Sequence, residues 1–169
     1  MDYSHTMKEK TEFTIQEAGF EDIPILVRHH RLMFEEIWTL KSLNYDISNL
    51  EEMDKNYAEK LQKQLRNNTV KAWLIEDISE IIASGAVSVI SMVPLPDDPS
   101  DRVAYLHSIY TEKGYRSRGF AHRIAETAIH YCKSQGIRRM MLNASDAGRP
   151  VYEKTGFQAA DNVMRLWIK

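Results

Sequence analysis

Residues 115–121 read Tyr-Arg-Ser-Arg-Gly-Phe-Ala, and this short stretch decides how the whole chain is interpreted. Before it, the apolar run at 105–110 is typical of a strand, and after it the spacing at 120–135 predicts an amphipathic helix. Gly119 lets the backbone approach a ligand closely, and a helix start offers unpaired N–H groups with a partial positive charge. The two arginines are residues that donate paired hydrogen bonds to phosphate. The stretch therefore predicts an anion site, and a phosphate-bearing cofactor is the first hypothesis.

The composition limits the classes of protein that are compatible with the chain. Its 169 residues, with 43% hydrophobic and 27% charged residues and a net charge of −2, are those of an ordinary globular domain without attraction to nucleic acid or acidic membranes. The single cysteine, Cys132, excludes an internal disulfide framework and a multi-cysteine zinc site, and we expect no metal. We see no membrane-spanning run and no signal-peptide pattern, so the expected compartment is the cytoplasm. Residues 1–10 are interpreted as disordered or as a cloning remnant, and residues 11–169 as one domain.

The order of predicted elements indicates a fold of the α/β (α+β) class. A first strand at 13–18 is followed by two helices, the first capped by Asp22 and the second opened by a capping-box pattern at Ser48 and Glu51. Three strands, the helix after Gly119 and a further strand come next. A short helix opened by Pro150 and one or two closing strands, at Phe157 and 163–168, complete the chain. We expect a mixed, mostly antiparallel sheet of six to seven strands with helices on both faces.

Two separated motifs resemble the GNAT superfamily of acyl-CoA N-acyltransferases. The first is Arg-x-x-Gly-x-Ala, formed by Arg116, Gly119 and Ala121, and the second is Tyr-Glu-Lys-Thr-Gly-Phe at 152–157. The first alone is weak, but the second follows it by one helix and one strand, as in the family. The likeness runs from about residue 13 to the end. The chain departs from the family's pattern at Lys113, where proline is frequent.

The resemblance implies that acetyl-CoA is the co-substrate. Its pyrophosphate would lie over the backbone N–H groups that open the helix, and its pantetheine arm would pair with the preceding strand. The residues expected to bind it are Ile109, Tyr110, Thr111, Arg116, Ser117, Arg118, Gly119, Phe120, Ala121 and Asn143. Two alternatives stay open: the arginines are solvated loop charges, and Asn143 satisfies a sheet edge.

The assignment of the catalytic acid follows from the resemblance, and that of the base from the residues themselves. Tyr152 matches the family tyrosine that protonates the departing thiolate, although it could instead pack in the core. His107 lies on the strand before the anion loop and is the expected base, with Glu76, Glu36 or a chain of waters as alternatives, although it could instead be a strand histidine with satisfied hydrogen bonds. The family also has an irregularity in this strand that frees a backbone N–H for the thioester oxygen. In the first helix we expect His30 to pack and His29 to be exposed.

The function predicted from these residues is direct transfer of an acetyl group to a primary amine in a ternary complex. Cys132, on the buried face of its helix, is expected to be inert. A sensor or scaffold that binds acyl-CoA with little turnover is the main alternative. A nucleotide enzyme is disfavoured because the glycine motifs of such enzymes are missing. The acceptor, a small-molecule amine or a protein amino group, should be selected by the first two helices, their connection at 39–47 and the loop at 94–100. A homodimer is left open.

Overall fold

Five strands and four α-helices follow one another along residues 13–168, the part of the chain that this computed structural model describes. In chain order they are β1 Thr14–Glu17, α1 Ile23–Leu40, α2 Ile47–Arg66, β2 Val70–Asp77, β3 Glu80–Ser91, β4 Arg102–Thr111, α3 Phe120–Ser134, β5 Arg139–Leu142 and α4 Arg149–Lys154. Single 3-10 turns at Phe20–Asp22 and Lys113–Tyr115 precede α1 and follow β4. The predicted disordered or cloning-derived residues 1–10 lie outside the described range.

The strands lie in the sheet in their order along the chain, β1-β2-β3-β4-β5. β1 to β4 pair antiparallel, whereas β5 runs parallel to β4. A parallel neighbour requires a crossover connection, and α3 supplies it. The mixed, mostly antiparallel sheet is confirmed, but its predicted size of six to seven strands is wrong.

The expected closing strands at Phe157 and 163–168 are absent from the described part of the chain. A strand needs a neighbouring backbone to complete its hydrogen bonds, and these residues pair with none of the five strands. The apolar side chains of 163–168 also lack the alternation of a strand with one buried face, since Met164 is 96% exposed and Trp167 87% exposed. The apolar composition that predicted strands here is therefore not matched by burial.

The helices cover both faces of the sheet, as predicted. Alternate residues of β2 explain how one strand serves two cores: Ala72 and Leu74 pack with residues of α1 and α2, whereas Trp73 packs with residues of α3. A strand that is buried on both faces reads as a continuous apolar run, which is how β2 appears in the sequence. No helix among residues 13–168 is sufficiently long and apolar to cross a bilayer.

The helix ends differ from the sequence prediction at two places. Asp22 takes the N-cap position of α1 as predicted, but its carboxylate accepts from the backbone N–H of Gly19 and makes no capping hydrogen bond to the helix. α2 begins at Ile47, and its N-cap is Asp46, whose carboxylate accepts a hydrogen bond of 2.9 Å from the backbone N–H of Ser48. The predicted capping box at Ser48 is therefore wrong by two residues. A carboxylate at the N-cap also interacts favourably with the helix dipole, and the hydrogen bond from Ser48 holds the pKa of Asp46 below its usual value.

Candidate active site

The strand β4 carries a bulge next to its centre. Ala86 of β3 pairs with His107, but the next pair along β3 is Ser84 with Tyr110. Gly85 alone therefore faces two residues of β4, Ser108 and Ile109. Ser108 adopts a φ of 57°, in the left-handed region that residues other than glycine rarely occupy. An irregularity of the kind that the family resemblance implied is thus present in this strand.

β4 also separates from β5 at the same point. The parallel pairing joins Val103–Leu106 to Arg139–Leu142 and goes no further, so the second half of β4 has no strand from residues 13–168 beside it on that edge. Ile109, Tyr110 and Thr111, which we predicted to contact the pantetheine arm, lie in this opened half. Backbone groups that point towards the opening have no ladder partner in the sheet.

A chain of unusual backbone conformations leads from β4 into α3. Ser117 has a φ of 61° and Gly119 a φ of 84°, and α3 begins directly afterwards at Phe120. Gly119 is the N-cap and provides no side-chain cap, so the first N–H groups of α3 have no acceptor within the helix. Phe120 itself contributes only its backbone, because its ring is buried edge-on against Phe13 with centroids 4.7 Å apart.

The two arginines of this stretch lie beside other partners. Nη2 of Arg116 lies 2.9 and 2.8 Å from the two carboxylate oxygens of Glu36, and its Nε donates to the carbonyl of Thr111 at 2.9 Å. The guanidinium of Arg118 lies over the ring of Tyr115, 5.3 Å from its centroid. The anion-binding capacity of the loop therefore rests first on its backbone and on the end of α3.

An open cleft of about 1130 Å³ lies next to this loop, between α1, the α1–α2 connection and the adjoining ends of β3 and β4. Its lining combines apolar side chains such as Leu32 and Ile82 with four glutamates and three basic residues. Arg28 pairs with Glu112 at 2.6 Å. Tyr45, which belongs to the connection predicted to select the acceptor, is part of the wall. The cleft thus presents one more carboxylate than cations to a ligand.

Glu36 is the most connected acid of the cleft. It accepts a hydrogen bond of 3.1 Å from the hydroxyl of Tyr110 in addition to the contacts with Arg116. Burial acts to raise the pKa of Glu36, but the hydrogen bond and charge of Arg116 outweigh it and leave that pKa below its usual value. Burial and the carboxylate of Glu36 raise the pKa of Tyr110 to about 12.

The sequence identified His107 as the expected base, and the structure places it in a buried cluster and not among the residues that line the cleft. Its Nε2 lies 2.8 Å from Oγ of Ser88 and its Nδ1 2.9 Å from Oγ of Ser108. Burial, together with the nearby charge of Lys60, lowers the pKa of His107 to about 3. Glu76, an alternative base, lies on β2 opposite Thr14, two strands away from the opening.

Of the predictions for the two histidines of α1, the one for His29 is wrong. His29, expected to be exposed, is 0% exposed, because the buried stripe of α1 follows Ile23, Leu26 and His29 at intervals of three residues. Its Nδ1 lies 2.8 Å from Oγ of Ser84, and its Nε2 lies 3.3 Å from the carboxylate of Glu112. His30 packs, as expected.

Tyr152 lies on α4 with its ring edge-on to Phe157, at a centroid distance of 6.1 Å. It packs against the core between α3 and the sheet, as Ile109 of β4 and Leu142 of β5 also do. Burial raises the pKa of Tyr152 to about 12. The structure thus brings Tyr152 and the opened strand to one side of the sheet.

Asn143 directly follows β5. Its amide donates a hydrogen bond of 2.7 Å to the hydroxyl of Tyr105, and its carbonyl oxygen accepts from Arg165. Both ends of this side chain therefore tie protein segments together beside the opening. The described residues contain no cluster of three or more histidine, cysteine or acidic side chains arranged for a metal ion.

Sequence reasoning missed two residues of this region. Glu112 follows β4 directly and connects the cleft to His29 and Arg28, and its position just before the anion loop was the available signal. Ser108 could not be identified, because serine gives no indication of a left-handed backbone conformation.

The sequence is similar to those of known acetyltransferases. The profile of the Acetyltransferase (GNAT) family matches residues 32–157. Serotonin N-acetyltransferase of Mesocricetus auratus is 37% identical over 62 residues, which are 36% of this chain and 30% of that protein. Glucosamine 6-phosphate N-acetyltransferase of Trypanosoma brucei brucei is 28% identical over 64 residues, 38% of this chain and 44% of that protein. The chain thus matches less than half the length of these curated relatives.

Solved structures match over most of the chain. A predicted acetyltransferase with acetyl-CoA from Clostridium acetobutylicum superposes with a TM-score of 0.82 and 28% identity, covering 92% of this chain and 96% of that one. A GCN5-related N-acetyltransferase from Ralstonia eutropha gives a TM-score of 0.81 at 22% identity, covering 92% and 99%, which supports the fold.

Proposed function

Because this chain belongs to the acetyltransferase (GNAT) family, we propose that it transfers an acetyl group from acetyl-CoA to a primary amine, directly and in a ternary complex. The observation that carries the proposal is that the bulged half of β4, which is separated from β5, leads directly into the start of α3. The N-cap of α3 is Gly119, which provides no side-chain cap. The first feature offers backbone groups to an extended arm, and the second offers N–H groups to a diphosphate. Coenzyme A contains both parts.

The donor would be held mainly by backbone atoms. Ser117, Arg118, Gly119, Phe120 and Ala121 supply the turn and the first N–H groups of α3, while residues 109–111 supply the strand edge. Arg116 supports the loop through Glu36 and Thr111, so its effect on donor binding is expected to be indirect. Asn143 holds the opposite side of the opening through Tyr105.

Tyr152 is the proposed acid. A phenol with a pKa of about 12 carries its proton at neutral pH and can give it to a thiolate as negative charge develops on sulfur. Direct transfer is supported by Cys132, the chain's single cysteine, which is buried and whose pKa burial raises to about 11. A thiol in that state is a poor acyl carrier.

The proton of the acceptor ammonium requires a separate route. A pKa of about 3 means that His107 could pass a proton along its hydrogen bonds but would not retain it at neutral pH. We propose His107 in this relay role, with Glu36 and bound water as the competing bases. His107→Gln and Glu36→Gln distinguish them, because the variant that removes a group on the route of the proton should lower kcat with little change in the Kd of acetyl-CoA, whereas the other should not.

The acceptor is proposed to be an amine because the curated relatives are, by their names, N-acetyltransferases of serotonin and glucosamine 6-phosphate. The surplus carboxylate of the cleft is compatible with an ammonium group. A homodimer, a cytoplasmic location and the lack of nucleic-acid and membrane partners stay predictions.

Acetyl-CoA binding and turnover test the proposal in two steps. At a donor concentration of about 100 times Kd, linkage predicts about 2.7 kcal/mol of stabilisation, or a rise in Tm of roughly 5 to 10 °C, which ATP and NAD should not reproduce. A panel of amines with detection of free CoA then measures transfer, and Tyr152→Phe should lower kcat with little change in acetyl-CoA affinity. Absence of acetyl-CoA binding would overturn the proposal. Binding without turnover of any amine would instead favour the acyl-CoA sensor or scaffold.

A further inference from the structure

Two successive residues of β4 direct their side chains to the same face of the sheet. In a regular strand His107 and Ser108 would point in opposite directions, yet Nδ1 of His107 lies 2.9 Å from Oγ of Ser108. The bulge makes this contact possible, because Ser108 with its φ of 57° turns its side chain back towards α1 and α2. The conformation of the backbone and the contact between the side chains are therefore two aspects of one feature.

The hydroxyl of Ser108 has three partners, one from the strand and one from each of two helices. Nδ1 of His30 on α1 lies 2.8 Å away, and the hydroxyl of Tyr57 on α2 lies 3.0 Å away, in addition to His107. A hydroxyl has one donor and two acceptor positions, so these three contacts use its full capacity. The ring of Tyr57 also stacks on that of His30 at a centroid distance of 4.0 Å, which fixes both partners.

The neighbouring contacts determine which way the protons point. Lys60 contacts both Oγ of Ser88 and Oε1 of Gln64, and an ammonium only donates, so that atom of Gln64 is the carbonyl oxygen. Ser88 lies 3.1 Å from this oxygen and must donate to it. Nε2 of His107 therefore donates to Ser88 at 2.8 Å, and Nδ1 of His107 accepts from Ser108. Ser108 in turn accepts from its two helix partners.

From this arrangement we infer that Ser108 is a positioning residue, whose hydroxyl, bonded by α1 and α2, holds β4 in the bulged form that the transfer reaction requires. The inference depends on the proposed function for its catalytic part. A left-handed conformation is unfavourable for serine and persists only where the surroundings compensate it, and the saturated hydroxyl is that compensation.

The consequence concerns the backbone next to Ser108. Ile109 is the second residue of the bulge and begins the segment that we expect to receive the donor. The helices that form the acceptor side would thus set the geometry of the strand on the donor side. Misplacement of about 1 Å in a reacting group can cost about 100-fold in rate, so loss of this anchor should affect turnover more than binding.

Three substitutions test the inference. Ser108→Ala removes the hydroxyl and keeps the unfavourable backbone, and we expect kcat to fall about 10-fold to 100-fold with less than about a threefold change in the Kd of acetyl-CoA. Tyr57→Phe removes one partner without altering the strand and should give a smaller loss of the same kind. Ser91→Ala is the matched control, because its hydroxyl bonds an exposed Asp101 at the far end of β3.

Backbone amide hydrogen exchange at Ile109 provides a readout that does not depend on activity. Faster exchange at Ile109 in Ser108→Ala and Tyr57→Phe, with global stability and Ser91→Ala unchanged, supports the inference. If wild-type protein shows no turnover, the proposed function fails while this measurement still decides whether Ser108 holds the bulge. Unchanged kcat together with unchanged exchange in Ser108→Ala overturns the inference; if that variant does not fold, the same result in Tyr57→Phe does so.

Discussion

Gly85 provides a sharp test of the packing beneath the bulge. A Cβ added at this position would lie 2.6 Å from Cγ2 of Ile124 and 2.8 Å from Cγ1 of Ile109. Carbon atoms in favourable contact are about 3.5 to 4.0 Å apart, so the neighbours would have to retreat by roughly 1 Å. Ile124 lies on the fully buried face of α3 and has little room to do so. Overpacking of this kind costs about 1 to 3 kcal/mol, and we expect Gly85→Ala to lower Tm by roughly 2 to 12 °C.

Thermal unfolding followed by circular dichroism measures the effect, with Gly114→Ala as the control. A Cβ at Gly114 meets no atom within 4 Å, and this change should leave stability within about 0.5 kcal/mol of wild type. Because the cost at Gly85 arises from Ile124, the double variant with Ile124→Ala should lose less stability than the sum of the two single changes. Strict additivity, or a Gly85→Ala protein as stable as wild type, would refute the reasoning.

Three further predictions concern ionisable groups. Burial holds the pKa of His30 at about 4 and that of His107 at about 3 in the folded protein, below the unfolded value of about 6.5. The free energy of unfolding should therefore keep the full contribution of both neutral rings above pH 6.5 and decrease as the pH drops towards 4 and 3. The decrease is at most about 1.4 kcal/mol per pH unit for each ring. Cys132 should not react with a disulfide reagent in the native protein, which also leaves a thiol-release assay free of background. Arg139→Ala should destabilise the protein, since its Nε lies 2.7 Å from a carboxylate oxygen of the buried Asp98.

Each of these predictions has a control and a contradicting result. His130→Gln changes an exposed histidine and should leave the acid limb of the stability curve unchanged, whereas His30→Gln should make it shallower; equal curves would exclude His30 as a cause of that limb. Denaturant should expose one reactive thiol, and rapid reaction in the native state would contradict the burial of Cys132. Arg138→Ala removes an adjacent charge outside the ion pair, so equal losses at 138 and 139 would argue against a specific contact.

The sequence predicted the connection between strand and helix better than the sheet around it. The start of α3 could be located because Gly119 and the spacing of apolar residues are local signals. The excess of predicted strands has the opposite cause: an apolar segment such as 163–168 reads as a strand whether or not a neighbouring backbone is available. The number of strands depends on tertiary contacts and cannot be predicted from composition.

The details of the site depend on contacts between distant residues. The pair of Glu36 and Arg116 joins α1 to the loop after β4, and neither residue type indicates its partner. His29 was misjudged because a helical wheel drawn at the ideal period places it outside the apolar stripe, whereas the buried face of α1 follows a spacing of three. Its burial is compensated in part by Ser84 from another strand, which no local pattern reveals.

The single parallel strand pair among the described elements has an implication for how variants of this protein could arise. The continuous piece from β4 through α3 to β5 contains nearly every residue assigned to the acetyl donor, whereas the cleft takes α1 and its connection to α2 from a separate, earlier part of the chain. A recombination or an engineered chimera that exchanges residues 23–66 alone would therefore leave the sequence of that piece unchanged while replacing the helix residues that contact it. Diversification of the acceptor would then be limited chiefly by the contacts of His30 and Tyr57 with the strand beneath them.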